Sequence, residues 1–241
     1  MLVKDHNNIP HVTSPIIQFV SQSQINKKTI QQEQSESFDQ SFPSSSLVLL
    51  NNLIIKNEVC KQISNTPNFL ISLIKLTKFK FNNDTNKEED KQSLKIRNES
   101  IECLRSIHRW GDEQVQVELV TNGYPRALVI DINTAGGNEY QQDKGIGQGL
   151  ENIFEFIIKI LKGREINPFF KCTALSPQPF LFKSCQEQFE DEGGNEEITA
   201  QLVNKCEGYY YNVKDDANRA KEKILHFYVD NSNPRPRWYN Y

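Results

Sequence analysis

"DKGIGQGLENIFEFIIKILKGREINPFF", from Asp143 to Phe170, admits two incompatible readings, and the choice between them decides the fold. Gly145, Gly147 and Gly149 stand just ahead of an apolar run. Upstream, "RALVIDINTAGG" offers Ala127–Ile132 as a buried strand feeding a glycine turn. Together these would make a phosphate-cradling α/β unit. A dinucleotide loop, however, needs G-x-G-x-x-G between strand and helix, with an acidic residue about 20 positions further on closing a second strand. Here the third glycine falls one place early, and Ile153–Leu161 leads into "KGREINPFF" without a strand to carry a ribose ligand. The alternative is a packed amphipathic helix whose glycines permit a tight approach and turn ahead of it.

The flanking sequence favours the helix. "SSLVLLNNLIIK" is followed by "NEVCKQISNTPNFLISLIKLTKF", and "IRNESIECLRSIHRWG" by "DEQVQVELVTNGYPRALVIDI": two copies of helix, short break, helix, Pro near a second break, helix. In the second copy Ile96, Ser100, Cys103, Leu104 and Ile107 recur at three- and four-residue steps and line one helical face. Asn52 and Ser106 occupy equivalent places 54 residues apart, and the polar stretch Asn82–Ser93 accounts for about a dozen of them. Without that insertion the period is roughly the 40 to 47 residues of an armadillo or HEAT unit. The next comparable helix centres on Asn152, 46 residues beyond Ser106. The sequence therefore predicts an all-α solenoid.

Composition narrows the function. The net charge is −3 with 24% charged residues, which gives no general reason to expect nucleic-acid binding. Five scattered cysteines without a CxxC pair indicate neither a disulfide framework nor a zinc site. The four histidines have no ligand spacing, and no Ser, His and acid grouping suggests a hydrolase, so a non-enzymatic protein without metal or cofactor is expected. "MLVKDHNNIP" lacks the features of a signal peptide, and the longest apolar run contains Glu155 and Lys159, so no membrane association is expected.

From "GLENIFEFIIKILKGREINPFF", through "CQEQFEDEGGNEEI", to "ANRAKEKILHFYV", the chain resembles the last armadillo repeats of the importin-α family. That family has a Gly-Leu-Glu-Asn-Ile helix, an Ile-Asn-Pro turn, a Gly-Gly junction and a closing helix ending in an aromatic pair, in this order. "KIRNESIECLRSI" and "NTPNFLISLIKL" are similar to helices of its preceding repeats, and "HVTSPIIQFV" less closely so. The resemblance covers Ser45–Val229 and implies repeats six to ten. It implies an armadillo-repeat right-handed solenoid over residues 45–230, with insertions near 82–93, 173–184 and 204–214. Residues 1–44 would be mostly disordered or a degenerate repeat remnant, residues 21 to 46 being mostly Ser, Gln, Asn and Glu, and 231–241 a tail.

It also implies a function: an adaptor binding basic nuclear localisation signals, shared between cytoplasm and nucleus. In the family, a Trp and an Asn four apart on one helix project together, the rings flanking lysine stems and the amides holding the peptide backbone. Carried over by position, Asn52 keeps the amide while Val48 takes the Trp place. In the next copy Glu99 keeps the acidic residue, with Glu102 at the Trp place and Ser106 at the Asn place. Each lost ring removes about 0.5 to 2 kcal/mol. Asn52 fits a solvated helix face as well as a peptide contact, and Glu99 and Glu102 read more readily as exposed helix charges than as a lysine clamp.

The resemblance further implies basic linear peptides of cargo proteins as partners, and an export receptor or nucleoporin at the final repeat. Residues 1–45 contain only Lys4, Lys27 and Lys28 as basic residues apart from histidine, so the family's importin-β-binding segment is not expected here. An armadillo scaffold without transport activity is the alternative within binding proteins, and a small nucleotide-binding α/β enzyme the alternative outside them. A solenoid lacking a cap at its first unit would expose the face around Leu47–Ile55 and self-associate.

Overall fold

The computed structural model describes residues 9–28, 42–54, 57–80, 87–133, 143–165, 174–203, 207–208 and 211–225. Eleven helices account for nearly all of them: α1 (Ile9–Lys28), α2 (Phe42–Ile54), α3 (Asn57–Ser64), α4 (Phe69–Leu76), α5 (Lys87–Trp110), α6 (Glu113–Thr121), α7 (Tyr124–Ile132), α8 (Asp143–Lys162), α9 (Pro179–Asp191), α10 (Gly194–Gln201) and α11 (Val213–Leu225). Extended structure among these residues is limited to an antiparallel ladder of β1 (Glu207–Gly208) with β2 (Tyr211–Asn212) and a bridge between Arg164 and Leu175. The fold is all-α.

The strand alternative fails at both of its parts. Ala127–Ile132 is the body of α7, started by Gly123 in a left-handed conformation and by Pro125 in the first turn. Gly145, Gly147 and Gly149 lie inside α8. A Cβ on Gly149 would sit 2.5 Å from Ile132 Cγ2 and 3.1 Å from Asp131 Oδ2, so this glycine is the contact at which α7 and α8 close on each other. Ile146, Leu150, Ile153, Phe156, Ile157 and Ile160 are buried along one stripe of α8. The predicted face of α5, Ile96, Ser100, Cys103, Leu104 and Ile107, is fully buried as well.

Four long helices form one layer. Cys103 Sγ donates to Leu47 O at 3.3 Å and Ser106 Oγ to Asn51 Oδ1 at 2.7 Å, so α2 and α5 advance together and run parallel. Arg105 and Arg109 reach Glu155, and the His108 ring lies 4.9 Å from that of Phe156, which sets α8 alongside α5 in the same direction. α11 packs on α8, with Arg219 4.2 Å above the Phe154 ring centroid. The intervening helices pack behind this layer in pairs, α3–α4 against α5, α6–α7 between α5 and α8, and α9–α10 against α7 and α11.

Several expected boundaries move. Lys87–Ser93 is not loop: it forms the first turns of α5, with Ser93 buried, whereas residues 81–86 lie outside the described residues. The region 21–46 is helical to Lys28 and again from Phe42. Pro179–Ser184 opens α9, and α11 starts at Val213, ahead of the closing stretch that begins at Ala217; residues 226–241 lie outside the described residues. The junction at Gly193 and Gly194 is as expected, with Gly193 left-handed at φ 73° and Glu196 and Glu197 in the first turn of α10.

The uncapped end is not observed. α1 packs on α2, α3 and α4, and its Ile16, Phe19 and Val20 join the core that encloses Leu47, Leu50 and Ile54. Phe19 stacks on Phe79 at 5.2 Å. Of the face expected to drive self-association, Val48 and Leu49 remain exposed, and Ile55 lies outside the described residues.

Candidate functional site

Glu99, Glu102 and Ser106 are spaced by three and four residues on α5 and so share one side of it, the side that borders α2. Ser106 is spent on the fold, its hydroxyl donating to Asn51, the residue before the predicted Asn52. That bond fixes the seam and leaves Asn52 exposed on α2, with Val48 and Leu49 exposed one turn earlier. Leu49 keeps 51% of its surface in solvent. The structure therefore brings Asn52, Glu99 and Glu102 to adjoining helices, and makes Ser106 the rivet between them.

Glu99 is half-buried, and among the described residues no cation lies within ion-pair distance of its carboxylate. Burial pushes its carboxyl above the usual range; Lys95, one turn earlier, opposes this, and the negative charge of Glu102 adds to it. Glu102 has a partner on its own helix, with Arg105 Nη1 at 3.6 Å.

Beyond Glu102 the α5–α8 seam carries an ion network that sequence reasoning missed. Arg105 donates to Glu155 Oε2 from Nε at 3.4 Å and from Nη2 at 3.3 Å, while Arg109 Nη2 reaches both Glu155 oxygens at 2.9 and 2.8 Å. Burial pushes the Glu155 carboxyl up, but the two guanidiniums outweigh it and hold the group below its ordinary range. The available signal was the 46-residue offset that relates Ser106 to Asn152, because it also relates Arg109 to Glu155. At the C-terminal end of α5, Lys159 Nζ donates to Arg109 O at 2.9 Å and Arg164 Nη2 to Gly111 O at 2.9 Å, and Arg164 Nη1 also binds Arg109 O. Two cations thus answer the carbonyls left open by the last turn.

The 46-residue offset that relates Ser106 to Asn152 in the sequence also relates Glu102 to Gln148. Gln148 Nε2 donates to Asn152 Oδ1 at 3.3 Å, and Asn152 is 2% exposed. Its amide is turned into the α8 packing and is not presented to a peptide. Asp131, near the end of α7, faces the same junction. Burial raises its carboxyl to about 7, Glu102 adding to the rise and Arg97 opposing it. It lines an open cleft of about 340 Å³ together with Thr77, Lys78, Lys80, Arg97 and Glu192.

Among the described residues His108, Cys60, Cys103 and Cys185 are buried in the packing. His108 Nδ1 lies 2.6 Å from Gln116 Oε1, while Gln116 Nε2 donates to His108 O at 2.9 Å. An amide oxygen only accepts, so Nδ1 carries the proton and the neutral ring packs against Phe156 and Tyr124. Burial, with Lys159 adding to it, keeps its pKa well below the ordinary value. Cys60, Cys103 and Cys185 are buried free thiols whose pKa values burial pushes up, that of Cys60 to about 12, so none is a nucleophile. Among the described residues no group of three His, Cys, Asp or Glu stands in a metal-ligating arrangement, and no helix is long and apolar enough to cross a membrane.

No family model and no curated protein matches the chain. Among solved structures it is similar to the crystal structure of an engineered protein from the Northeast Structural Genomics Consortium, with 17% identity and a TM-score of 0.49 over 80% of this chain. The chain spans 60% of the length of that engineered protein.

Proposed function

We propose that the chain is a non-enzymatic, armadillo-type repeat protein, a right-handed solenoid that binds a basic linear peptide across the α2–α5 seam. In this reading it is an importin-α-like adaptor with a reduced cargo site, acting between cytoplasm and nucleus. The observation that carries the proposal is Glu99, a carboxylate partly withdrawn from water beside a second carboxylate and without an ion-pair partner among the described residues. A lysine or arginine supplied from outside relieves both penalties at once. Exposed Asn52 lies on the adjoining helix to hold the peptide backbone, and Val48 and Leu49 offer apolar surface for a side-chain stem. The parallel order of α2, α5 and α8 supports the repeat reading, because an extended peptide crossing such a layer meets equivalent positions in turn. The same reading assigns the α9–α11 end to an export receptor or nucleoporin.

The site lacks aromatic slots, so electrostatics dominates its affinity. Exposed charge pairs contribute about 0 to 1 kcal/mol each and weaken with salt. Fluorescence anisotropy with a labelled lysine-rich peptide is expected to show weak binding that falls steeply from low to physiological salt, with Glu99→Lys abolishing most of it and Asn52→Ala reducing it. Salt-independent submicromolar binding would place the groove elsewhere. Absence of binding at low salt would favour the scaffold reading, to which the buried Asn152 and its bond with Gln148 already lend support.

A further inference from the structure

We propose that Arg105 is a resident competitor for the peptide and sets how many basic residues the site accepts. The inference rests on the α2–α5 site above and deepens it. Arg105 is 18% exposed and lies between two carboxylates, Glu102 at 3.6 Å on its own helix and Glu155 at 3.3 Å on α8. The two acids differ in what else they hold. Glu155 also has Arg109 at 2.8 Å, so it stays paired whatever Arg105 does. Among the described residues Glu102 has Arg105 alone within ion-pair distance.

The acidic side of α5 is therefore asymmetric. Glu99 is open to an incoming cation, whereas Glu102, three residues further along the same face, is already occupied from within. The chain accordingly selects a basic segment with one anchored lysine or arginine at Glu99, and gains little from a second. Removing Arg105 releases Glu102 alone and converts a one-cation site into a two-cation site. Because one partly exposed ion pair is at stake, the gain is limited to about fivefold in affinity.

The probes are two fluorescein-labelled decapeptides of Gly and Ser, one carrying a single lysine and one carrying two lysines positioned to span Glu99 and Glu102. At low salt the wild-type chain is expected to separate them by less than about twofold. Arg105→Gln is expected to tighten the two-lysine peptide about fivefold and leave the single-lysine peptide unchanged. Arg109→Gln, which strips a cation from Glu155 only, is expected to give no such gain. An unchanged or weakened two-lysine affinity in Arg105→Gln, or an equal gain in Arg109→Gln, overturns the inference. A second measurement does not depend on how Arg105→Gln folds: Glu99→Gln is expected to cost the two-lysine peptide more than Glu102→Gln does, and the reverse order overturns the inference. If wild type and Glu99→Gln bind alike, or neither peptide binds any variant, the α2–α5 site itself is wrong, and the inference falls with it.

Discussion

Replacing Asp131 by Asn should stabilise the fold, and by an amount that depends on pH in a defined way. Asp131 stands in the last turn of α7, at the negative end of that helix, with Glu102 as a like-charged neighbour and only Arg97 opposing. A carboxyl raised from 3.8 to about 7 corresponds, at about 1.4 kcal/mol for each pH unit, to roughly 4 kcal/mol of unfavourable charge in the folded state. Asp131 opens onto the cleft beside Lys78 and Lys80, and solvent there screens the charge, so about 1 to 2 kcal/mol is the expected gain. The sign follows from linkage. Below about pH 4 both states hold the proton and the substitution gains nothing; between about 4 and 7 the unfolded chain releases it first and the folded state is penalised; above 7 the penalty is complete. His108 works in the opposite direction, since its buried neutral ring costs stability as pH falls below about 6.5, but this is common to both proteins and cancels in their difference. Urea denaturation followed by far-ultraviolet circular dichroism at pH 5 and pH 8 measures the effect. Asp131→Asn should raise the midpoint at both pH values, and clearly more at pH 8. An equal gain at the two pH values, or a loss at pH 8, would show that the Asp131 charge is not what the junction strains against.

Gly149→Ala should cost about 1 to 3 kcal/mol, read as a lowered thermal midpoint, because its Cβ would overlap Ile132 Cγ2 in a core where neither helix can move alone. A neutral result would mean that α7 and α8 are not in contact there. Ile16→Asp should detach α1 at a cost of about 3 kcal/mol or more, and expose Leu47, Leu50 and Ile54. Sedimentation velocity should then show concentration-dependent association absent from the wild type, and a monomer throughout would refute the capping role of α1.

The helices that the sequence made legible are those whose apolar residues repeat at three- and four-residue steps. α5 and α8 are of this kind, and their buried stripes fall where the spacing puts them. Ala127–Ile132 was ambiguous because an unbroken apolar run fits a strand and a buried helix alike; the helix start at Gly123 and Pro125 decides it. α1 was illegible for another reason. Its core residues, Ile9, Ile16, Phe19 and Val20, are thinly spread among Gln, Ser and Thr, and Pro15 lies inside it, so only packing against α2 and α4 shows its role. At the site, Glu99, Glu102 and Ser106 came from positions carried over from the family resemblance, which could not show that Ser106 is consumed by Asn51. Nor could it show that Arg105 and Arg109 meet Glu155 across some fifty residues of chain, since a pair of that separation exists only once the helices have been stacked.

Lys159 and Arg164 grip the carbonyls at the end of α5 although they lie 50 and 53 residues further along the chain than the groups they bind. Helix ends ordinarily fray, opening at a free energy far below that of the whole molecule. Here the end of α5 is tied to side chains of α8 and of the segment that follows it, so the last turn of α5 cannot open without also breaking those bonds. Helices that could otherwise open one at a time are at this boundary bound into a larger cooperative block. Amide protons near the end of α5 will therefore exchange at the pace of α8 rather than at the pace of a helix terminus.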